Sequence, residues 1–306
     1  MGRVKMPDIG ASILAQLKRK AKESGKPFQL YLQLFCQEEF LRRLSRSKYA
    51  DNFVLKGGMF IYTLTNFESR PTIDIDFLLR GQPGSIGDSQ KMVDEILAVK
   101  TGNDYIRLRS KSFETISPQR KYEGVSFQLI GQIKNTQTPL NVDLGVGDVI
   151  IPFSQKRKIS VQIEGFTVPE IMTYSLESTI AEKLDALMQR LELTSRMKDI
   201  YDIFYLSNLS DFNGYQLQQA VFGTLTNRGT PYRLDSLKRV VGLAQDPDIQ
   251  VRWRQFLHRT KLPELSLDQV LSGIEIFLSP VWESIIKGEK LQKDWSATRS
   301  EWRIAV

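Results

Sequence analysis

Between residues 28 and 44 the apolar side chains Leu30, Tyr31, Leu34, Phe35, Leu41 and Leu44 recur every three or four positions, which predicts an amphipathic helix. A second helix is expected over 58–64. The period then changes. Across 72–78 the polar residues Thr72, Asp74 and Asp76 alternate with Ile73, Ile75 and Phe77, a two-residue repeat that predicts a strand. GQPGSIGDS at 81–89 reads as a loop, followed by a short helix over 90–99 and β-rich stretches at 105–115, 125–133 and 140–146. Segments 158–163 and 166–168 are expected to pair through a turn at Glu164-Gly165. After Pro169 the pattern turns helical. One long helix is expected over 175–193, with Ile180, Leu184, Leu187 and Leu191 on one side, and another opens near Met197. From 215 to 290 several helices are broken at NRGTP, QDPD and Lys261-Leu262-Pro263. The chain is thus expected to be α/β (α+β), with a helical N-terminal segment at 1–50, a mixed-sheet core at 51–170 and a helical C-terminal domain at 171–306.

Within this pattern, Asp74-Ile75-Asp76 stands out because two carboxylates interrupt a greasy segment. On a strand, residues i and i+2 share a face, so both acids project side by side. Like charges so close repel unless a cation lies between them. Mg²⁺ suits such hard oxygen ligands, and it commonly binds one or two carboxylates together with substrate phosphates. The pattern alone is not specific, since a chain with 18 aspartates yields about one Asp-x-Asp by chance. A second copy, Asp246-Pro247-Asp248, reads as an ordinary turn, and acids facing solvent on an edge strand remain the plain alternative for the first. Leu140-Asn141-Val142-Asp143-Leu144 is another alternating stretch, so Asp143 is a candidate third carboxylate for a two-metal phosphoryl transfer, with Asp148 its competitor. Ahead of the acids, Lys56-Gly57-Gly58 opens a helix. Glycines there let backbone N–H groups approach phosphate, although a simple turn also uses them. No Walker sequence is present.

Composition narrows the function classes. The 306 residues are 41% hydrophobic and 25% charged, as in ordinary globular proteins. No apolar run approaches a membrane span, the N-terminus lacks the apolar core of a secretion signal, and the one cysteine, Cys36, rules out an internal disulfide framework. A cytoplasmic protein without a membrane partner is expected. One histidine, His258, excludes histidine-rich metal or hydrolase sites. The net charge of +7 comes from residues 1–50, which hold eleven Lys/Arg against four Asp/Glu, in runs such as KRKAK at 18–22 and RRLSRSK at 42–48. That basic segment fits a polyanion partner, and equally fits solvated helix faces.

Taken in order, Lys56-Gly57-Gly58, Arg70-x-Thr72-x-Asp74-Ile75-Asp76-Phe77, Glu177…Ala181-Glu182-Lys183-Leu184…Arg190 and Lys198-Asp199-x-x-Asp202 resemble the AbiEii/AbiGii toxin family, which includes the mycobacterial MenT toxins. The resemblance runs from about Phe28 to Leu206. It implies a DNA polymerase β-like nucleotidyltransferase core, an NTP donor, Mg²⁺ as cofactor, and a type IV toxin–antitoxin role with a cognate antitoxin encoded nearby. It further implies an RNA acceptor, the tRNA 3′ end, whose modification blocks translation and growth. Asp74 and Asp76 match the metal-binding pair, and Asp143 is the weaker third ligand. Lys56, Gly57, Gly58, Arg70 and Thr72 match the nucleotide-binding positions. Lys183 matches the helical lysine that holds the triphosphate, and Asp199 the acid of the later Lys-Asp motif. The helical domain then completes the active-site cleft. Met59 departs from the family, which often has Thr there.

The residues alone leave Lys183 open to a second reading, a solvated lysine paired with a neighbouring acid, and Asp202 open to pairing with Lys198. Two other classes also remain on sequence grounds. The same fold could transfer NMP to a protein or small-molecule hydroxyl, or could persist as a non-catalytic nucleotide- or RNA-binding module.

Overall fold

Asp8 caps the first described helix by accepting a hydrogen bond from the Ala11 N–H, and Gly25, in the left-handed region, closes it. This computed structural model describes residues 8–82, 84–116, 124–193 and 195–304. They divide into two compact units, 1–147 with 155–173 and 148–154 with 174–306.

The first unit contains α1 (Ile9–Ser24), α2 (Phe28–Ser45), β1 (Phe53–Lys56), α3 (Gly57–Leu64), β2 (Asp74–Leu79), α4 (Ile86–Leu97), β3 (Ile106–Ile116), β4 (Gly124–Ile133), β5 (Thr136–Gly145), β6 (Gln155–Lys158) and β7 (Glu170–Thr173). The strands form one mixed sheet in the order β3-β4-β5-β2-β1-β7-β6. β2 runs parallel to β5 and β1 parallel to β7, and the other neighbours are antiparallel. α2 and α4 pack on one sheet face, and α1 packs on α2. Phe77 of β2 and Phe127 of β4 meet Phe40 of α2 edge-on, with centroids 6.2 and 6.3 Å apart. Ile75, Phe77 and Leu79 turn to this core and are at most 5% exposed. The alternate positions face the other way, and along β5 they are exposed or half-buried.

Two local expectations are corrected. The loop expected at 81–89 ends early, because Ser85 caps α4 by accepting from the Asp88 N–H at 3.1 Å. Among the described residues no hairpin forms at Glu164-Gly165. Instead β6 pairs with β7, and 159–169 is an irregular connection. Two of its backbone groups are satisfied from α2. The Gln162 N–H donates to Glu38 (2.7 Å), and Arg42 Nε donates to the Thr167 carbonyl (2.7 Å).

Those two side chains belong to a buried charge cluster. Arg42, 1% exposed, reaches Glu38 at 3.1 Å and Glu39 at 3.5 Å, while Arg43 pairs with Glu39 at 3.0 Å. Thr101 and Asn103 also donate to Glu39. Burial pushes the Glu38 carboxyl up to about 8 despite the pull of Arg42. So Arg42 and Arg43 of the RRLSRSK run are interior ties.

The second unit contains α5 (Leu176–Arg190), continued by a 3₁₀ turn over Leu191–Leu193, then α6 (Met197–Leu209), β8 (Phe212–Asn213), α7 (Gly214–Arg228), α8 (Ser236–Gly242), α9 (Pro247–Thr260), α10 (Leu267–Lys287), β9 (Lys293–Ser296) and β10 (Glu301–Ile304). A 3₁₀ turn at Leu243–Gln245 links α8 to α9. The helices expected here are present. Asp246-Pro247-Asp248 is a helix start, with Asp246 as cap and Pro247 in the first turn. The small sheet β10-β9-β8 is an addition, with Trp295 3% exposed against Phe277 at 5.0 Å. Among the described residues no helix is long and apolar enough to cross a membrane.

Removing Arg42 leaves the buried Glu38 without its cation and Glu39 with Arg43 alone. Arg42→Met should cost about 3–5 kcal/mol in urea unfolding, while Lys48→Ala, which loses an exposed pair with Glu95, should cost under about 1 kcal/mol.

Candidate active site

Pairing of β2 between β1 and β5 fixes the positions of the acids. Asp76 is the register partner of Asp143 on parallel β5 and of Lys56 on antiparallel β1, while Asp74 pairs with Asn141. Paired residues share a face, so Asp74, Asp76, Asn141 and Asp143 all point away from the α2 core. Asp74 is exposed, and Asp76 and Asp143 are half-buried. The competing Asp148 belongs to the second unit, where Arg228 Nε donates to it at 3.0 Å.

The double glycine has a definite steric reason. Gly57 has φ +67°, and a β-carbon there would lie 2.8 Å from Asp76 Cγ and closer still to Oδ2. A β-carbon on Gly58 would lie 3.0 Å from Thr72 Oγ1 and 3.1 Å from Arg70 Nη2. The start of α3 is therefore pressed against the Asp76 carboxylate on one side, and against a hydroxyl and a guanidinium on the other. Lys56 offers no side-chain cap to the first N–H groups of α3. Met59 is 1% exposed and packs inside, so the side chain that departs from the family pattern belongs to the core. Gln33 and Gln37 of α2 both donate to the Ile73 carbonyl, at 3.3 and 2.5 Å, and so anchor the entry to β2.

The donor set suits a hard divalent cation: two carboxylates on one strand face and a third directly across from one of them, beside a glycine whose missing β-carbon leaves the carboxylate room. Among the described residues no three His, Cys, Asp or Glu side chains are gathered about one point. The fit therefore rests on the aspartate pair with Asp143 alongside.

In the second unit, Lys183 of α5 is 8% exposed, with its Nζ 2.9 Å from Asp199 and 2.6 Å from Asp202. Asp202 thus takes Lys183 as a partner, and Arg196 meets the other Asp199 oxygen at 3.2 Å. Burial pushes the Asp199 carboxyl up, but Lys183, Arg196 and Lys198 outweigh it and hold it below its usual value. Beside this tie, Arg228 binds Asp148, Glu182 and Asp185 at 2.9, 3.1 and 2.9 Å. The Tyr174 hydroxyl donates to Glu182 at 2.6 Å, and burial drives that phenol well above its ordinary value. Arg228 escaped the sequence reading because it precedes a helix break and its partners lie 43 to 80 residues away.

Residues 39–273 match the family model described as nucleotidyl transferase AbiEii toxin, type IV TA system. The chain belongs to this family. The AbiEii assignment makes it a nucleotidyltransferase toxin of a toxin–antitoxin system, with a nucleotide substrate and an antitoxin partner. No curated protein matches the chain. Two solved structures are similar. JHP933 from Helicobacter pylori is 14% identical, covering 83% of this chain and 91% of its own, with a TM-score of 0.48. A candidate nucleotidyltransferase from H. pylori is 15% identical, covering 83% and 95%, with a TM-score of 0.46. The assignment rests on the family model.

Two outcomes test this geometry. Gly57→Ala should cost about 1–3 kcal/mol and impair nucleotide transfer, whereas Gly25→Ala, with the same φ but open space around it, should cost stability without touching transfer. The lowered Asp199 carboxyl stabilises the fold above its unfolded value near 3.8, and that contribution is lost as pH falls through the lower folded value. Thermal melts across the acid range should therefore show a shallower acid limb in Asp199→Asn.

Proposed function

We propose that this AbiEii toxin transfers a nucleotidyl group from a Mg²⁺-bound NTP to the 3′ hydroxyl of an RNA, the tRNA 3′ end being the acceptor favoured by the family likeness. The observation that carries the reading is the alignment of Asp76 with Asp143, next to the glycine turn that opens α3.

Asp74 and Asp76 would hold the cation, with Asp143 across from them. When bound, Mg²⁺ neutralises phosphate charge and makes the attacking hydroxyl more acidic. The chain's own groups do the rest. The N–H groups at Gly57 and Gly58, with Thr72 and Arg70, receive the phosphate oxygens, where a helix N-terminus favours negative charge. Lys56, the register partner of Asp76, adds a cation on the same sheet face. The hydroxyl oxygen bonds to the α-phosphorus, the bond to the bridging oxygen breaks, and pyrophosphate leaves with that electron pair. Asp143 is assigned the departing hydroxyl proton. The family likeness assigns Lys183 to the triphosphate, and within its own unit Asp199 and Asp202 hold its ammonium. Phosphoryl transfer is mostly positioning and charge neutralisation, which is what these groups supply.

Asp76→Asn should lower transfer of label from an α-labelled NTP to tRNA by about 10³ or more, and should abolish growth inhibition with an unchanged melting curve. Undiminished toxicity in that variant would end the catalytic assignment. Label appearing on a protein or small-molecule hydroxyl, with none on RNA, would replace the acceptor.

A further inference from the structure

Charge counting places the basic surface in the first fifty residues, but the structure distributes it differently. Arg42 and Arg43 are consumed by Glu38 and Glu39, Arg46 donates to the Thr101 carbonyl, and Lys48 pairs with Glu95. The α1 cations ride on α2, behind the sheet, where a β-carbon on Gly10 would lie 3.5 Å from the core residue Ile133. On the open face, by contrast, β3 presents Arg107, Arg109 and Lys111, all exposed.

The register ties these cations to the carboxylates. Arg107 pairs with Gln132, Arg109 with Ile130, and Ser112 with Gln128, and the pairing shifts between Ser110 and Ser112. Lys111 thus sits at an irregularity, from which its Nζ donates to Gln128 at 2.7 Å. Gln128 donates to Asn141 at 2.9 Å, and Asn141 is the register partner of Asp74. A hydrogen-bonded polar ladder therefore crosses β3, β4 and β5 as far as Asn141, level with the first carboxylate. The near end of the face is acidic, since Glu114 pairs with Ser126, which pairs with Asp143. The far end is cationic, and among the described residues neither Arg107 nor Arg109 has an ion pair.

We propose that this face is the track of the acceptor strand. The 3′ segment of a single-stranded RNA lies across β5, β4 and β3, its terminal hydroxyl at Asp76 and Asp143 and its upstream phosphates on Lys111, Arg109 and Arg107. The inference rests on the RNA-acceptor reading above. Alternate residues of a strand lie about 6.6 Å apart, close to the repeat of phosphates in an extended chain, and the three cations stand about 15–25 Å from Asp76. That is the reach of a few nucleotides. The described outward positions of β3, β4 and β5 hold no aromatic ring, so this track reads phosphates and tolerates any sequence.

The test compares wild type with the exposed triple variant Arg107→Ser/Arg109→Ser/Lys111→Ser. A short 5′-fluorescein-labelled single-stranded RNA with a free 3′ hydroxyl is the binding probe, and transfer from α-labelled NTP is measured in parallel. The variant should bind this RNA at least tenfold more weakly and raise the KM for RNA, with the KM for NTP and the melting curve unchanged. The slope of log affinity against log salt should fall by about 2, from three lost phosphate contacts at about 0.7 each. Lys18→Ser/Arg19→Ser/Lys22→Ser should bind within twofold of wild type. If the β3 variant binds and extends RNA as wild type does, the track is overturned while the RNA reading stands. If wild type neither binds nor labels RNA, the RNA reading falls and takes the track with it. Loss of antitoxin binding with RNA binding intact would assign the face to a protein and overturn the proposal.

Discussion

At Gly57 the main chain passes so close to the Asp76 carboxylate that no side chain can stand between them, and most of the candidate site depends on that approach. The turn needs φ +67°, which glycine adopts without strain, and the absent β-carbon leaves the acid its position. β1 then ends at Lys56 opposite Asp76, and α3 begins with its first N–H groups beside an anion. The favourable end of a helix dipole and the carboxylate face of the sheet become one locality. Parallel pairing of β2 with β5 adds Asp143 at the same level.

Buried ion pairs brace each of the two units from within. In the first unit, Glu38, Glu39, Arg42 and Arg43 join α2 to the last residue of α4, to the side chains of Thr101 and Asn103, and to backbone groups of the connection at 159–169. In the second unit, Lys183 ties α5 to α6, and Arg228 ties α7 to Asp148 and to two acids of α5. Such pairs contribute little net stability compared with apolar packing, but they punish any arrangement that leaves one member alone. They also remove charges from the surface, so a count of lysines and arginines overstates the exposed cations.

Much of this was legible from the chain. The alternation at 72–78 identified β2 and the shared face of its acids, three- and four-residue spacing identified α2 and the apolar side of α5, and a further helix was expected to open near Met197, where α6 begins. The ordered motifs pointed to the AbiEii family, which the family model shows. What escaped has a common cause. The connection at 159–169 has strand-like residues but takes its hydrogen bonds from α2, a partner more than a hundred positions away. Arg228 likewise has only distant partners, and β8, β9 and β10 are too short to leave a pattern.

By itself the sequence determined which residues could carry chemistry and which faces they would share, because strand and helix periods are local properties of the backbone. Only the tertiary structure decided which of them meet. Asp143 rather than Asp148 stands level with Asp76, Lys183 is held by two buried acids, and Gly57 is a steric necessity instead of an ordinary turn. Register between strands far apart in the chain, and burial that forces each charge to find a partner, are set by the whole packed unit, and no stretch of sequence encodes them alone.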